Sequence, residues 1–282
     1  MVGAVRDADV VFSWFALGFS AVANTAARAL DRGSVLVSGG WDVVGMPEIG
    51  YGRLLTRRGR LTARLALSTA DRVLSFSQWS AKAIHDVSSS SKVQVVYLGV
   101  DLEKFRPGPK ENIVVCIANL SEENVRRKGL RDLVLASRDL PDVTFFLVGR
   151  HLDESAEELR RLARHNLTLT GWLPEDKLVS LLARARVYAQ PSFTEGFGQA
   201  LAEAMASGCV PVVVEAGAMP EVVGDTGFYV PFGNPSSLAT GIQEALTSEG
   251  GSNARERIVR NFSLDRRLKA LSETISSLAR GR

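Results

Sequence analysis

"RVYAQPSFTEGFGQALAEAMASG", residues 186–208, is the most informative run in the chain. Val187–Gln190 is a short apolar run of strand type, Pro191–Glu195 a loop, and from Phe197 or Gly198 an Ala/Leu-rich segment of helical period runs to Ser207, with Gly208 placed as C-cap. Strand, loop and helix in that order make one βα unit of a parallel sheet.

The same alternation extends both ways. Before residue 100, strands are expected at Val10–Phe15, Val35–Ser38, Val73–Phe76 and Val93–Tyr97. After residue 110 they fall at Ile113–Ala118, Thr144–Val148, Leu167–Thr170, Val187–Gln190, Pro211–Val214 and Phe228–Val230. Between the sets, "DLEKFRPGPKEN" breaks regular structure at Pro107, Gly108 and Pro109 and reads as a linker. The expected organisation is therefore α/β: a first Rossmann-like domain over 1–106, a second over 107–262, and a C-terminal helix over 263–282 packing back toward the first. Four strands are few for a doubly wound domain, so the first domain reads as incomplete.

Composition bounds the class. The 282 residues are 45% hydrophobic and 23% charged with a formal net charge of +3, which fits a globular chain and excludes disordered and fibrous types. Cys116 and Cys209 lie in apolar surroundings without metal-ligand spacing, pointing to a reducing, cytoplasmic setting. Three scattered histidines build no His-rich metal site. "VVFSWFALGFSAVA" at 10–23 imitates a signal-peptide core, but Asp7 and Asp9 stand where such a peptide needs positive charge, so export is not expected. Nucleic-acid binding has neither a module nor interleaved aromatics to support it.

In an α/β sheet, ligands collect where strand ends lead into helix starts. Glycines at 196 and 198 bare the backbone there, and the helix dipole favours an anion such as phosphate. Glu195 and Glu203, about two helical turns apart, offer carboxylates to hydroxyl groups on either side of it. A nucleoside diphosphate sugar has hydroxyls at both ends and phosphates between. Taken singly, each residue has a plainer reading: Glu195 as a carboxylate favoured by a helix start, Glu203 as a solvated helix residue.

Together, the E-x7-E pattern from Glu195 to Glu203 enclosing Gly196, Phe197 and Gly198, "AMASGCVPVVV" after it, "GAMPEVVGDTGFYVP", "RRKGL" at 126–130, "FFLVG" ending at Gly149 and "YLGVDLEKFRP" resemble retaining glycosyltransferases of family 4. The resemblance runs from about residue 34 to 246 and implies a GT-B fold of two Rossmann-like domains facing a cleft. It further implies that Lys128 contacts the diphosphate, Glu195 the donor sugar and Glu203 the ribose, with backbone N–H groups at Gly196–Gly198 capping the leaving phosphate and Gly149 lining the donor site. No metal or other cofactor is then required beyond the nucleotide sugar. Where the family has an arginine before the lysine, this chain has "ANLSEEN", leaving Arg126 and Arg127 as alternatives; Arg150 and His151 replace a usual glycine. The family's cleft-facing histidine has no counterpart, and Asp42 in "VSGGWDV" is the catalytic candidate there, against a turn or cap role.

Residues 51–65, "YGRLLTRRGRLTARL", hold five arginines and no acid. Read as one helix, Arg53, Arg57, Arg60 and Arg64 share a face opposite Leu54, Leu61 and Leu65. That pattern fits either a solvated face or an anionic membrane surface, the latter at the inner face of the membrane. The expected activity is transfer of a hexosyl group, with retention, to a glycan, lipid-linked or small-molecule acceptor. The alternative is an impaired nucleotide-sugar-binding subunit that needs a partner chain or oligomer to bind its acceptor.

Overall fold

The computed structural model describes residues 2–280. The chain divides into two compact units: residues up to Leu98 with those from Asp265 onward, and Gly99–Leu264.

The first unit contains α1 (Val2–Arg6), β1 (Val10–Trp14), α2 (Gly18–Ala29), β2 (Gly33–Ser38), α3 (Arg57–Thr69), β3 (Arg72–Ser75), α4 (Gln78–Val87) and β4 (Val93–Val95). Its strands lie in the order β1-β2-β3-β4, all parallel. All six residues of β2 are buried, as befits an interior parallel strand covered on both faces. Leu36, Leu67, Val73 and Ile84 form its core. At the edge, β1 leaves Phe12 and Trp14 exposed.

The second unit contains β5 (Glu111–Ile117), α5 (Glu122–Arg127), α6 (Leu130–Arg138), β6 (Thr144–Val148), α7 (Ser155–Leu162), β7 (Leu167–Gly171), α8 (Glu175–Arg184), β8 (Ala185–Gln190), α9 (Gln199–Ala206), β9 (Val210–Val214), α10 (Met219–Val223), β10 (Phe228–Val230), α11 (Pro235–Thr247) and α12 (Gly251–Asn261). Its parallel sheet has the order β10-β9-β8-β5-β6-β7. The chain winds outward from β5 to β7, returns to place β8 beside β5, then winds the other way. The winding therefore reverses between β5 and β8, and the loops leaving these two strands part to form a crevice.

The last helix, α13 (Leu264–Arg280), belongs to the first unit from its second residue on. Arg267 Nη1 on it donates to the carbonyls of Val96 and Tyr97 at 3.1 and 2.9 Å.

The boundary sits eight residues before the Pro-Gly-Pro break, because the segment 99–110 packs within the second unit. Val100 bridges to Ser263, Lys104 pairs with Glu175, and Gly108 N–H donates to the Ala183 carbonyl at 3.0 Å. Proline and glycine end regular structure there without ending the packing.

The arginine-rich stretch is also divided. Residues Arg53–Leu55 form a separate 3₁₀ turn, and α3 begins only after Thr56, whose hydroxyl caps Gly59 N–H at 3.0 Å. Arg53 is thereby removed from the helical face and donates to Thr62 Oγ1 at 3.1 Å, while Leu61 and Leu65 on α3 are exposed. Among the described residues no helix is long and apolar enough to cross a membrane.

Candidate functional site

Local sequence brings the two crevice loops together. Ser121 caps α5 through Asn124 N–H, and Glu122 and Glu123 sit in its first turn, where the helix dipole favours acids. The helix stops at Arg127 because Lys128 leaves helical geometry and Gly129 adopts φ +59°. A Cβ on Gly129 would overlap the Pro191 carbonyl oxygen in the other loop, so only glycine permits the approach. Across this contact Phe193 N–H donates to the Arg127 carbonyl at 2.7 Å.

The result is a cluster around one carboxylate oxygen. Glu195 Oε1 lies 3.2 Å from Lys128 Nζ, 3.4 Å from Arg127 Nη1 and 3.2 Å from Ser192 Oγ. All three charged side chains are largely buried. Burial alone pushes the Glu195 pKa up, but the positive charges of Lys128 and then Arg127 outweigh it and hold the carboxyl below its ordinary value. Glu195 is therefore ionised at neutral pH, and two cations against one anion leave the cluster net positive.

Of the two arginines the sequence left open, Arg127 joins this cluster; it also donates to the Thr194 carbonyl and to Asn124 Oδ1. Arg126 points into solvent and pairs with Glu122. Lys128 has Glu195 as its one hydrogen-bond partner among the described residues, which leaves two of its three N–H groups for a ligand.

Gly198, at φ +92°, caps the start of α9. The ring of Phe197 points inward, 2% exposed and edge-on to Phe262, so it anchors the turn and offers a ligand only its backbone. Gly149 ends β6 where a Cβ would overlap the Ala118 carbonyl oxygen beneath the crevice, a packing requirement. Glu203 stands about 7 Å further along the α9 axis than Gly198. It accepts from Gln199 Nε2 at 2.9 Å, and Gln199 also donates to the Gly99 carbonyl at 3.2 Å. Burial raises the Glu203 pKa, against the Gln199 bond and the Lys104 charge.

Asp42, the catalytic candidate of the first unit, is engaged by its own loop and by Ala16. It is fully buried in the first unit. Its Oδ2 accepts from Ala16 N–H at 2.7 Å and Ser38 Oγ at 2.6 Å, and its Oδ1 from Gly40 N–H at 3.2 Å. The turn role weighed against catalysis is the one its geometry fits. Sequence reasoning missed Ser192 and Asn124, each three residues from the charged site residue it bonds, Glu195 and Arg127 respectively, and a search for polar neighbours at that spacing would have found them; the Thr194 carbonyl, which accepts from Arg127 across 67 residues, carries no such local signal. Among the described residues no group of three His, Cys, Asp or Glu side chains is placed to hold a metal ion.

Residues 111–248, which carry every element of this cluster, match the family model described as Glycosyl transferases group 1. These residues form a glycosyl transferases group 1 domain. The curated relatives of this chain include the MMP alpha-(1->4)-mannosyltransferase of Mycolicibacterium hassiacum, 33% identical over 62% of this chain and 46% of the relative. The D-inositol 3-phosphate glycosyltransferase of Mycobacteroides abscessus is 28% identical over 62% of this chain and 44% of its own. The match thus spans about half the length of these relatives. Among solved structures, HepE of Anabaena superposes with a TM-score of 0.84 over 98% of this chain and 80% of its own at 23% identity. Sucrose-phosphate synthase of Thermosynechococcus elongatus gives 0.79 over 96% and 73% at 21% identity. The fold of the chain is GT-B type: two Rossmann-like units with parallel sheets of four and six strands.

Proposed function

We propose that this chain moves a hexosyl group from a nucleoside diphosphate sugar to an acceptor with retention of anomeric configuration. The observation that carries the reading is the Glu195 carboxylate held ionised between Lys128 and Arg127, with two Lys128 N–H groups unengaged. The difficult step in such a transfer is departure of the nucleoside diphosphate. Fixed positive charge in a largely buried setting stabilises the negative charge that develops on it, with no cation from solution needed for the purpose. In this reading Lys128 and Arg127 face the diphosphate and the start of α9 at Gly198 adds its dipole. Glu195 accepts from donor sugar hydroxyls, and Glu203 from the ribose. The name of the Mycolicibacterium hassiacum relative, a mannosyltransferase, agrees with hexosyl transfer, and HepE was solved with UDP and with UDP-glucose.

The acceptor side is the less constrained part. We take a glycan, a lipid-linked sugar or a small molecule as its class, and assign contact with an anionic membrane surface at the inner leaflet to Arg57, Arg60 and Arg64 with the exposed Leu61 and Leu65.

A thermal-shift screen of UDP-, GDP- and ADP-sugars followed by measurement of released nucleoside diphosphate tests the reading. Stabilisation and turnover, both lost in Lys128→Ala, are expected; absence of stabilisation by every nucleotide sugar overturns it. One observation favours a second reading, a nucleotide-sugar-binding subunit completed by a partner chain: the engagement of Asp42 leaves the first unit without its catalytic candidate. Stabilisation without turnover on any acceptor selects that reading.

A further inference from the structure

At the opposite end of the second sheet from Lys128 and Glu195, the N-terminal ends of β5, β8 and β9 open into a cavity of about 470 Å³. The six residues of β8 put the two ends roughly 16 Å apart. Nothing in the donor chemistry uses this cavity.

Its wall brings together the apolar Pro107, Val210 and Val259 and the cations Lys110, Arg186 and Arg255. The three cations are bound to the fold in very different degrees. Lys110 Nζ donates to the carbonyls of Leu182, Ala185 and Ser207 at 3.4, 2.8 and 2.6 Å, so it contributes charge and no spare donor. Arg255 engages only Nη1, with the Phe105 and Ala206 carbonyls. Arg186 makes no hydrogen bond or ion pair among the described residues, and its Nε is enclosed without an acceptor. Burial lowers the Lys110 pKa, and the Arg186 charge lowers it further against an opposing pull from Cys209. Two acids, Glu249 and Glu256, also border the cavity, but both are exposed and Glu256 pairs with Arg260. The enclosed wall is therefore positive and its carboxylates lie in solvent. A buried Nε–H without an acceptor costs free energy, and the half-buried guanidinium that carries it is free to turn toward a bound anion.

We propose that this cavity is a second binding site, taking a small organic anion whose phosphate or carboxylate group meets Arg186 and Arg255 and whose compact apolar body lies against Pro107, Val210 and Val259. The arginine fork suits either oxyanion. The site is joined to the donor crevice by α9. Arg255 and Lys110 hold the last carbonyls of that helix, at Ala206 and Ser207, while its other end begins at Gly198 and its face carries Glu203.

Phenyl phosphate, benzoate and inorganic phosphate titrated into the full chain, followed by thermal shift and calorimetry, test the assignment. Phenyl phosphate or benzoate is expected to stabilise the wild type and Lys128→Ala alike, and to bind at least about tenfold more weakly to Arg186→Gln and to Arg255→Gln. Two arginine variants are used so that a folding defect in one leaves the other decisive. The proposal is overturned if neither organic anion binds the wild type, if both arginine variants bind as the wild type does, or if Lys128→Ala abolishes binding. Equal affinity for inorganic phosphate overturns the apolar half of the assignment.

Discussion

Phe193 donates its backbone N–H to the carbonyl of Arg127 at 2.7 Å, tying the loop after β8 to the loop after β5 across the point where the sheet reverses its winding. The bond is made by main chain alone, so it fixes where Lys128 and Glu195 stand independently of what their side chains do. The charged cluster is in this sense a property of two loops held in register.

Gly129→Ala should break that register. The new methyl would overlap the Pro191 carbonyl oxygen, and φ +59° is unfavourable for alanine. A loss of about 2 kcal/mol or more in stability is expected by denaturant titration. Nucleotide affinity should fall with it, although no ligand-facing atom has been removed. Unchanged stability would mean that the two loops are not constrained as described.

Removing the central carboxylate has a different signature. Glu195→Ala leaves Arg127 and Lys128 largely buried without their shared counter-ion and should destabilise by about 3 kcal/mol. Lys128→Ala leaves the carboxylate still partnered by Arg127 and should cost less stability but about a hundredfold or more in turnover. Paired melts and product-release rates distinguish the two; the reverse pattern would contradict the roles assigned.

The two glutamates should respond oppositely to pH. Glu195 has a folded-state pKa below its ordinary value, so its ion pairs contribute stability above the unfolded pKa of about 4.5, lost as pH falls through the folded value. Glu203 has a folded-state pKa above the ordinary value, so its ionised form destabilises the fold at neutral pH and ceases to do so as pH falls toward the unfolded value. Glu203→Gln should therefore raise the melting temperature of the ligand-free protein at pH 7, with the gain vanishing below about pH 4. Glu195→Gln should lower the melting temperature at pH 7, with the deficit shrinking in acid.

Asp42→Ala strands the Ala16 and Gly40 N–H groups and the Ser38 hydroxyl in a fully buried position. About 3 kcal/mol of destabilisation is expected. Nucleotide binding by the second unit should persist at temperatures where the variant remains folded. Full stability with lost turnover would restore Asp42 to a catalytic part.

All ten strands were legible because parallel strands between helices leave unbroken apolar runs such as "VLVS" and "VPVVV", and the core needs those runs wherever the strands are covered on both faces. The strand end that leads into the E-x7-E segment was legible too, whereas the reversal of winding beside it rests on the strand order β10-β9-β8-β5-β6-β7, which pairs distant parts of the chain. The surroundings of Asp42 were not legible, because a short acid after two glycines looks the same whether its loop opens outward or folds over it; the Ala16 and Ser38 contacts, 26 and 4 residues away, appear only in the fold. Arg53 was misplaced because helical period survives across a capped break, and Thr56, the residue that makes the break, is a common helix residue elsewhere. The Thr194 and Glu195 partners of Arg127 were illegible because they come from a loop 67 and 68 residues on.

The second unit leaves and rejoins the rest of the chain at neighbouring points. Val100 N–H donates to the Phe262 carbonyl at 2.8 Å, and Leu264 N–H to the Val100 carbonyl at 2.9 Å. A polypeptide cut from residue 99 to 264 would thus keep its two ends stitched together by their own backbone. Such a fragment is a natural candidate for separate expression, and the shortest object in which the paired cation cluster and the cavity beneath the sheet could both be studied without the remainder.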